Sequence, residues 1–102
     1  MDRREPDLRF PHPGEILREE FLLPMGITQY RLGKDLRIPH SRVTAIIRGK
    51  RSISPDTALR LGRYFGNSPV FWLGLQSEYD LRMAHEQSGE AIEYEITPLV
   101  QA

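Results

Sequence analysis

Apolar residues recur at helical spacing through most of this chain and change to strict alternation only near its end. Leu17 and Phe21 share one face of a segment that Pro13 can open and Pro24 can stop, which predicts a first helix over residues 13–23, with Met25-Gly26 closing it. Thr28 is a good N-cap for a second helix running through Leu36, in which Leu32 and Leu36 lie one turn apart. Gly33 sits between them; a mid-helix glycine costs about 1 kcal/mol relative to alanine, so another helix is expected to cross there at close range. Arg37-Ile38-Pro39 is a turn. A third helix then runs from Pro39 or His40 to Arg48, with Gly49 positioned to end it in the left-handed conformation. At roughly 100° per residue, Val43, Ile46 and Ile47 fall in one arc and should face a core.

Ser54-Pro55-Asp56 combines an N-cap, a proline at the first helical position and an acid at the positive end of the dipole, so it opens a fourth helix carrying Leu59, Leu61 and Phe65 and ending at Gly66. Asn67-Ser68-Pro69 opens a fifth, expected to reach about residues 85–87 before Gly89. Beyond it, AIEYEIT alternates Ile92, Tyr94 and Ile96 with Glu93, Glu95 and Thr97, the period of a half-buried strand. With no other clear strand in the chain, this one would pair with another subunit, pair with a different protein, or stay disordered. The expectation is an all-α domain: an arm over residues 1–12, five helices over 13–87, and a short acidic strand or tail over 88–102.

The chain's 102 residues suit one domain with a modest core. It has no cysteine, which removes disulfides and thiolate metal sites and suits a reducing cytoplasm; no apolar run approaches membrane-spanning length and the first ten residues lack a signal peptide's apolar stretch. A cytoplasmic location away from membranes follows. The formal net charge is zero, but its distribution is uneven. Residues 24–66 hold nine Lys or Arg against only Asp35 and Asp56, whereas residues 1–23 hold four Arg against six acids and residues 67–102 hold Arg82 against six acids. Phosphate binding depends on local cation density, so overall neutrality does not count against a nucleic-acid partner.

Opposite the apolar arc of the third helix stand Ser41, Ala45 and Arg48, flanked by Arg42 and Thr44. Arginine can offer paired hydrogen bonds to guanine, Ser and Thr can donate or accept at several base edges, and alanine allows close approach to a thymine methyl. Thr28 and Gln29, at the start of the preceding helix, suit phosphate contact with side chains and free N–H groups; His40, Lys50 and Arg51 extend the backbone grip. Phe71, Trp72 and Leu75 form a dense apolar block in the fifth helix. Most of this block is expected in the domain core, but consecutive Phe-Trp cannot both face one side, so part of it, among Phe71, Trp72 and Leu75, is expected with Tyr94 at a dimer interface.

These residues also carry a resemblance. The middle segment resembles the Cro/cI-type (Xre-like, lambda-repressor-like) helix-turn-helix family, and HPGEILREEFLLPMGIT, RVTAIIRGKRSIS and FWLGLQSEYDLRMA resemble recurrent stretches of HigA-type antitoxins over residues 12–84. The resemblance implies a homodimer that binds a palindromic operator in double-stranded DNA, represses its own operon and binds a cognate HigB-type toxin, a basic RelE-type mRNA-cleaving ribonuclease. It also implies DNA contact at Gln29, Ser41, Arg42, Thr44, Ala45 and Arg48. Two positions depart from the wider pattern: Arg37 stands where glycine is frequent and Pro39 where a capping Ser or Thr is frequent, so the turn is expected to be strained or differently shaped. A cationic toxin would suit the acidic ends, making Glu15, Glu19, Glu20, Glu90, Glu93 and Glu95 its expected contacts.

Other classes fit less well. His12, His40 and His85 are scattered, and the chain has no HExxH motif or phosphate-cradling glycine loop, so nothing calls for catalysis, a metal or a cofactor. A free-standing repressor of the same fold is the main alternative, and an interaction module that no longer binds DNA the remaining one.

Overall fold

The computed structural model describes residues 11–100, and the predicted arm lies, apart from Pro11 and His12, outside them. Five helices account for about three quarters of the described residues. Helix α1 comprises Pro13–Ile16, a wide π segment Leu17–Leu22, and Leu23–Met25; α2 is Gln29–Leu36, α3 His40–Ile47, α4 Pro55–Phe65 and α5 Pro69–Glu95. No helix among the described residues is long and apolar enough to cross a membrane.

Local chemistry explains most of the boundaries. Thr28 accepts from the N–H of Arg31 (3.0 Å), Ser54 from that of Thr57 (3.2 Å) and Ser68 from that of Val70 (3.0 Å), each filling a donor left open at a helix start. His12 does the same for α1: its Nδ1 accepts from the N–H of Gly14 at 2.9 Å. Pro24 lies inside α1 rather than ending it. A proline removes one backbone donor and crowds the carbonyl a turn earlier, and the helix meets it with the wide turn just before. Arg37 ends α2 at φ 62°, in the left-handed region that glycine occupies at least cost. The strain expected of this turn is therefore located in one residue.

The end of α5 corrects the sequence reading. No strand occurs among the described residues; the alternating segment continues α5 through Gly89 to Glu95. A lone strand has no partner for its backbone groups, whereas Glu90, Ala91, Glu93 and Glu95 are good helix formers and Ile92 and Ile96 also sit one helical turn apart.

The core gathers Leu17 and Leu22 of α1, Leu32 and Leu36 of α2, Ile38 of the turn, Val43 and Ile46 of α3, Ile53, Ala58 and Leu61, with Trp72 of α5 at its centre. Trp72 is fully buried within its own chain. Its ring packs on Phe21 at 4.9 Å and its indole N–H donates to Asn67 Oδ1 at 2.9 Å. This corrects the expectation that Trp72 serves a dimer interface: the Phe-Trp pair does split between two sides, but Phe71 is the exposed member.

Candidate nucleic-acid interface

Helix α3 owes its orientation to what lies beneath it. Val43 and Ile46 are buried, Ile47 is half-buried, and Gly14 of α1 abuts the α3 backbone so closely that a Cβ there would stand 1.9 Å from the Ile46 carbonyl oxygen. Sequence reading missed this contact; only the glycine so near a helix start hinted at it. The crossing expected at Gly33 is present, its missing Cβ facing the Ile38 carbonyl at 3.1 Å and Val43 at 3.4 Å.

With its aliphatic side held inward, α3 turns the other side out. Ser41 and Arg48 are exposed, and Arg42, Thr44 and Ala45 are half-buried beside them. Thr44 Oγ1 donates to Gln29 Oε1 at 3.3 Å, tying α3 to the first residue of α2 and leaving the Gln29 amide N–H groups as donors. Thr28 uses its oxygen as the α2 cap, and His40 is exposed at the start of α3. Beside it, Tyr30 is 67% exposed, its ring edge-on to His40 at 6.0 Å. Sequence reading passed over this tyrosine, although an aromatic two residues past an N-cap was a visible signal. Beyond α3, Gly49 adopts φ 75° and the N–H of Lys50 reaches back to the Ala45 carbonyl (2.8 Å), which presents exposed Lys50 and Arg51 immediately after the helix.

The seam behind this face is polar and specific. Arg31 and the Tyr64 hydroxyl both donate to Asp35 Oδ2, at 3.2 and 2.5 Å, while Arg60 bonds Asp56 and the Leu36 carbonyl, each at 2.9 Å. The Tyr64 hydrogen bond, followed by Arg31, holds the Asp35 carboxyl below its ordinary pKa. Both acids of the cationic middle segment are thus engaged along α2 and α4.

His12 is shifted in the same direction, which for a histidine favours the neutral form. Burial lowers its pKa below the ordinary 6.5, outweighing Asp80 and Glu15, which favour its charged form. Its ring packs edge-on to Tyr79 at 4.9 Å and lies against Gly49. The cap needs an unprotonated Nδ1, so the contribution is complete above pH 6.5 and declines as pH falls toward the lowered folded value. Thermal unfolding from pH 7.5 to 5 should show an acid-side loss in the wild type that is reduced in His12→Asn, which retains a cap oxygen without titrating; equal losses in both would remove His12 from the account.

Of the acids expected to meet a toxin, Glu19 and Glu20 are exposed on α1 and Glu15 is half-buried, while Glu90, Glu93 and Glu95 are exposed on the last turns of α5. Leu75 is half-buried and Tyr94 is 90% exposed.

A short helix whose start is capped, a turn, and a second helix anchored on its aliphatic side with small polar residues outward define a helix-turn-helix domain; the Helix-turn-helix family profile matches residues 17–72. Virulence-associated protein I of Dichelobacter nodosus is 53% identical over 81 residues, 79% of this chain and 74% of that protein. Among solved structures, an addiction module antidote protein of the HigA family from Coxiella burnetii shares 52% identity, a TM-score of 0.84, and coverage of 88% of this chain and 98% of its own. Pseudomonas aeruginosa antitoxin HigA, solved with the higBA promoter, shares 49% identity, a TM-score of 0.88, and coverage of 90% and 100%. The chain belongs to the HigA-type antitoxins of the helix-turn-helix family, a class of non-enzymatic regulators.

Proposed function

We propose that this protein is a cytoplasmic antitoxin that binds a two-fold operator in its own operon as a homodimer, represses that operon, and neutralises a cognate HigB-type toxin of the RelE mRNA-cleaving class. The observation that carries the DNA reading is the two-sidedness of α3: Val43 and Ile46 buried, Ser41 and Arg48 exposed, with Lys50 and Arg51 directly following. Ser41, Arg42, Thr44, Ala45 and Arg48 read base edges, and Thr28, Gln29, His40, Lys50 and Arg51 hold phosphates. The higBA promoter bound to the Pseudomonas aeruginosa relative supports the same target class.

Dimerisation uses α5. On its outward half, Leu81, Ala84, Ser88 and Ile92 fall within an arc of about 80° at 100° per residue, and all four are exposed. Glu86, Glu90 and Glu93 lie on the opposite arc, so two copies joined through the apolar stripe keep those acids available to a basic toxin. This interface differs from one through Phe71 and Leu75: Phe71 packs on Phe21 (6.2 Å) and Leu75 is half-buried against the core.

The test is a salt series of binding to the chain's own upstream DNA and to a random duplex, joined to co-purification with the product of the adjacent gene. Steep weakening with salt is expected, and Arg42→Ala should cost roughly 1–3 kcal/mol on the operator while changing random binding less. Equal loss on both duplexes would make Arg42 a phosphate contact, and salt-insensitive binding would reject the interface.

A further inference from the structure

The geometry points to Gln76 as a positioning residue for the DNA grip, fixing the basic loop that follows the recognition helix; the inference rests on the DNA-binding reading above. Gln76 lies on α5, outside the helix-turn-helix pair, and is 5% exposed, one of the few buried polar side chains among the described residues. Its Oε1 accepts from the backbone N–H of Ile53 at 2.8 Å, and its Nε2 donates to Asp80 Oδ1 at 2.9 Å. Asp80 can only accept, so it draws the NH2 side of the amide and leaves the carbonyl for Ile53. The amide orientation is therefore determined, not free to flip.

The loop is pinned at both ends. At one, the Lys50 N–H returns to the Ala45 carbonyl and closes α3; at the other, Ile53 buries its side chain (2% exposed) and gives its N–H to Gln76. Lys50 at the first pin and Arg51 and Ser52 between the two are all exposed. A backbone ordered before binding spares the complex the cost of ordering it on contact, so each phosphate contact from this loop gains from the pin. The recognition helix has separate supports in Gly14, Val43, Ile46 and the Thr44–Gln29 bond. Loss of the pin should thus weaken grip without altering base choice.

The experiment compares the full-length wild type, Gln76→Met and the double variant Q76E/D80N on operator and random duplexes over a salt series. Methionine keeps the volume and removes the hydrogen bonds, so affinity should fall about tenfold on both duplexes, with the log–log salt slope shallower by about one to two, the share of Lys50 and Arg51. The double variant exchanges the roles of the two side chains: a carboxylate at 76 accepts from Ile53 and from the amide at 80, and both affinity and slope should return toward wild type. Gln76→Met with lowered stability but unchanged slope and affinity would overturn the proposal, as would a double variant no better than Gln76→Met. Amide exchange in the wild type provides a check that needs no variant. The Ile53 N–H should exchange far more slowly than those of Arg51 and Ser52, and equal rates would mean that the pin does not hold. A wild type that binds neither duplex in a salt-dependent way would instead sink the DNA-binding reading itself.

Discussion

Replacing Gly14 with alanine, a change of one methyl group, is expected to lower stability by about 3 kcal/mol and to displace the recognition helix. The added Cβ would stand 1.9 Å from the Ile46 carbonyl oxygen, 2.7 Å from its carbon and 2.9 Å from Ile47 Cα. All three are backbone atoms of α3 or its last turn, so no side-chain rotation relieves the overlap and α1 and α3 must separate by an ångström or more. Gly14 also donates to the His12 cap, so the start of α1 shifts with it. Gly33→Ala is the matched control. Its closest contact is 3.1 Å, and the gain of about 1 kcal/mol in helix propensity offsets much of the crowding. Urea unfolding and operator binding should separate the two variants, with Gly14→Ala impaired in both and Gly33→Ala near wild type. A Gly14→Ala protein as stable as the wild type would mean that the contact between the two helices is looser than the structure shows.

What the sequence disclosed and what it concealed divide along a physical line. Helix starts at residues 29, 55 and 69 were legible because Thr28, Ser54 and Ser68 bond N–H groups two or three residues away, a relation carried by adjacent positions. The inward side of α3 was legible through the spacing of Val43 and Ile46. Hidden features were those decided by distant partners: Gly14 against Ile46, Gln76 on Ile53, and Trp72 rather than Phe71 at the centre. The end of α5 misled for a different reason. Ile92 and Ile96 satisfy a period of two and a period of four alike, so the lack of a partner strand and the helix-forming Glu90, Ala91, Glu93 and Glu95 decide between them. The first helix misled because Pro24 reads as a stop unless a π segment precedes it.

A chain carrying Leu81→Glu and Ile92→Glu is expected to be monomeric and to bind its operator at least about 100-fold more weakly than the wild type, since joining two readers makes the second contact intramolecular. Leu81 is 69% exposed and Ile92 53%, both on the stripe of α5 that also carries Ala84 and Ser88. Burying such side chains contributes roughly 1.5–3 kcal/mol each, and two copies meeting across a two-fold axis count every residue twice. The substitutions replace that gain with four carboxylates forced together and out of water, which reverses the sign of the association energy. Neither position touches the recognition face, so affinity for an isolated half-site should stay at the wild-type level; that separates loss of dimerisation from loss of folding. In the proposed dimer, one α3 helix contacts only a few base pairs and two half-sites about one helical turn, roughly 34 Å, apart must be met together, so operator affinity should depend on a rigid link between the two readers. Sedimentation velocity and operator binding measured together decide the matter. A double variant that still sediments as a dimer would return the interface to the Phe71 and Leu75 side, and Phe71→Glu would then be the substitution that splits it.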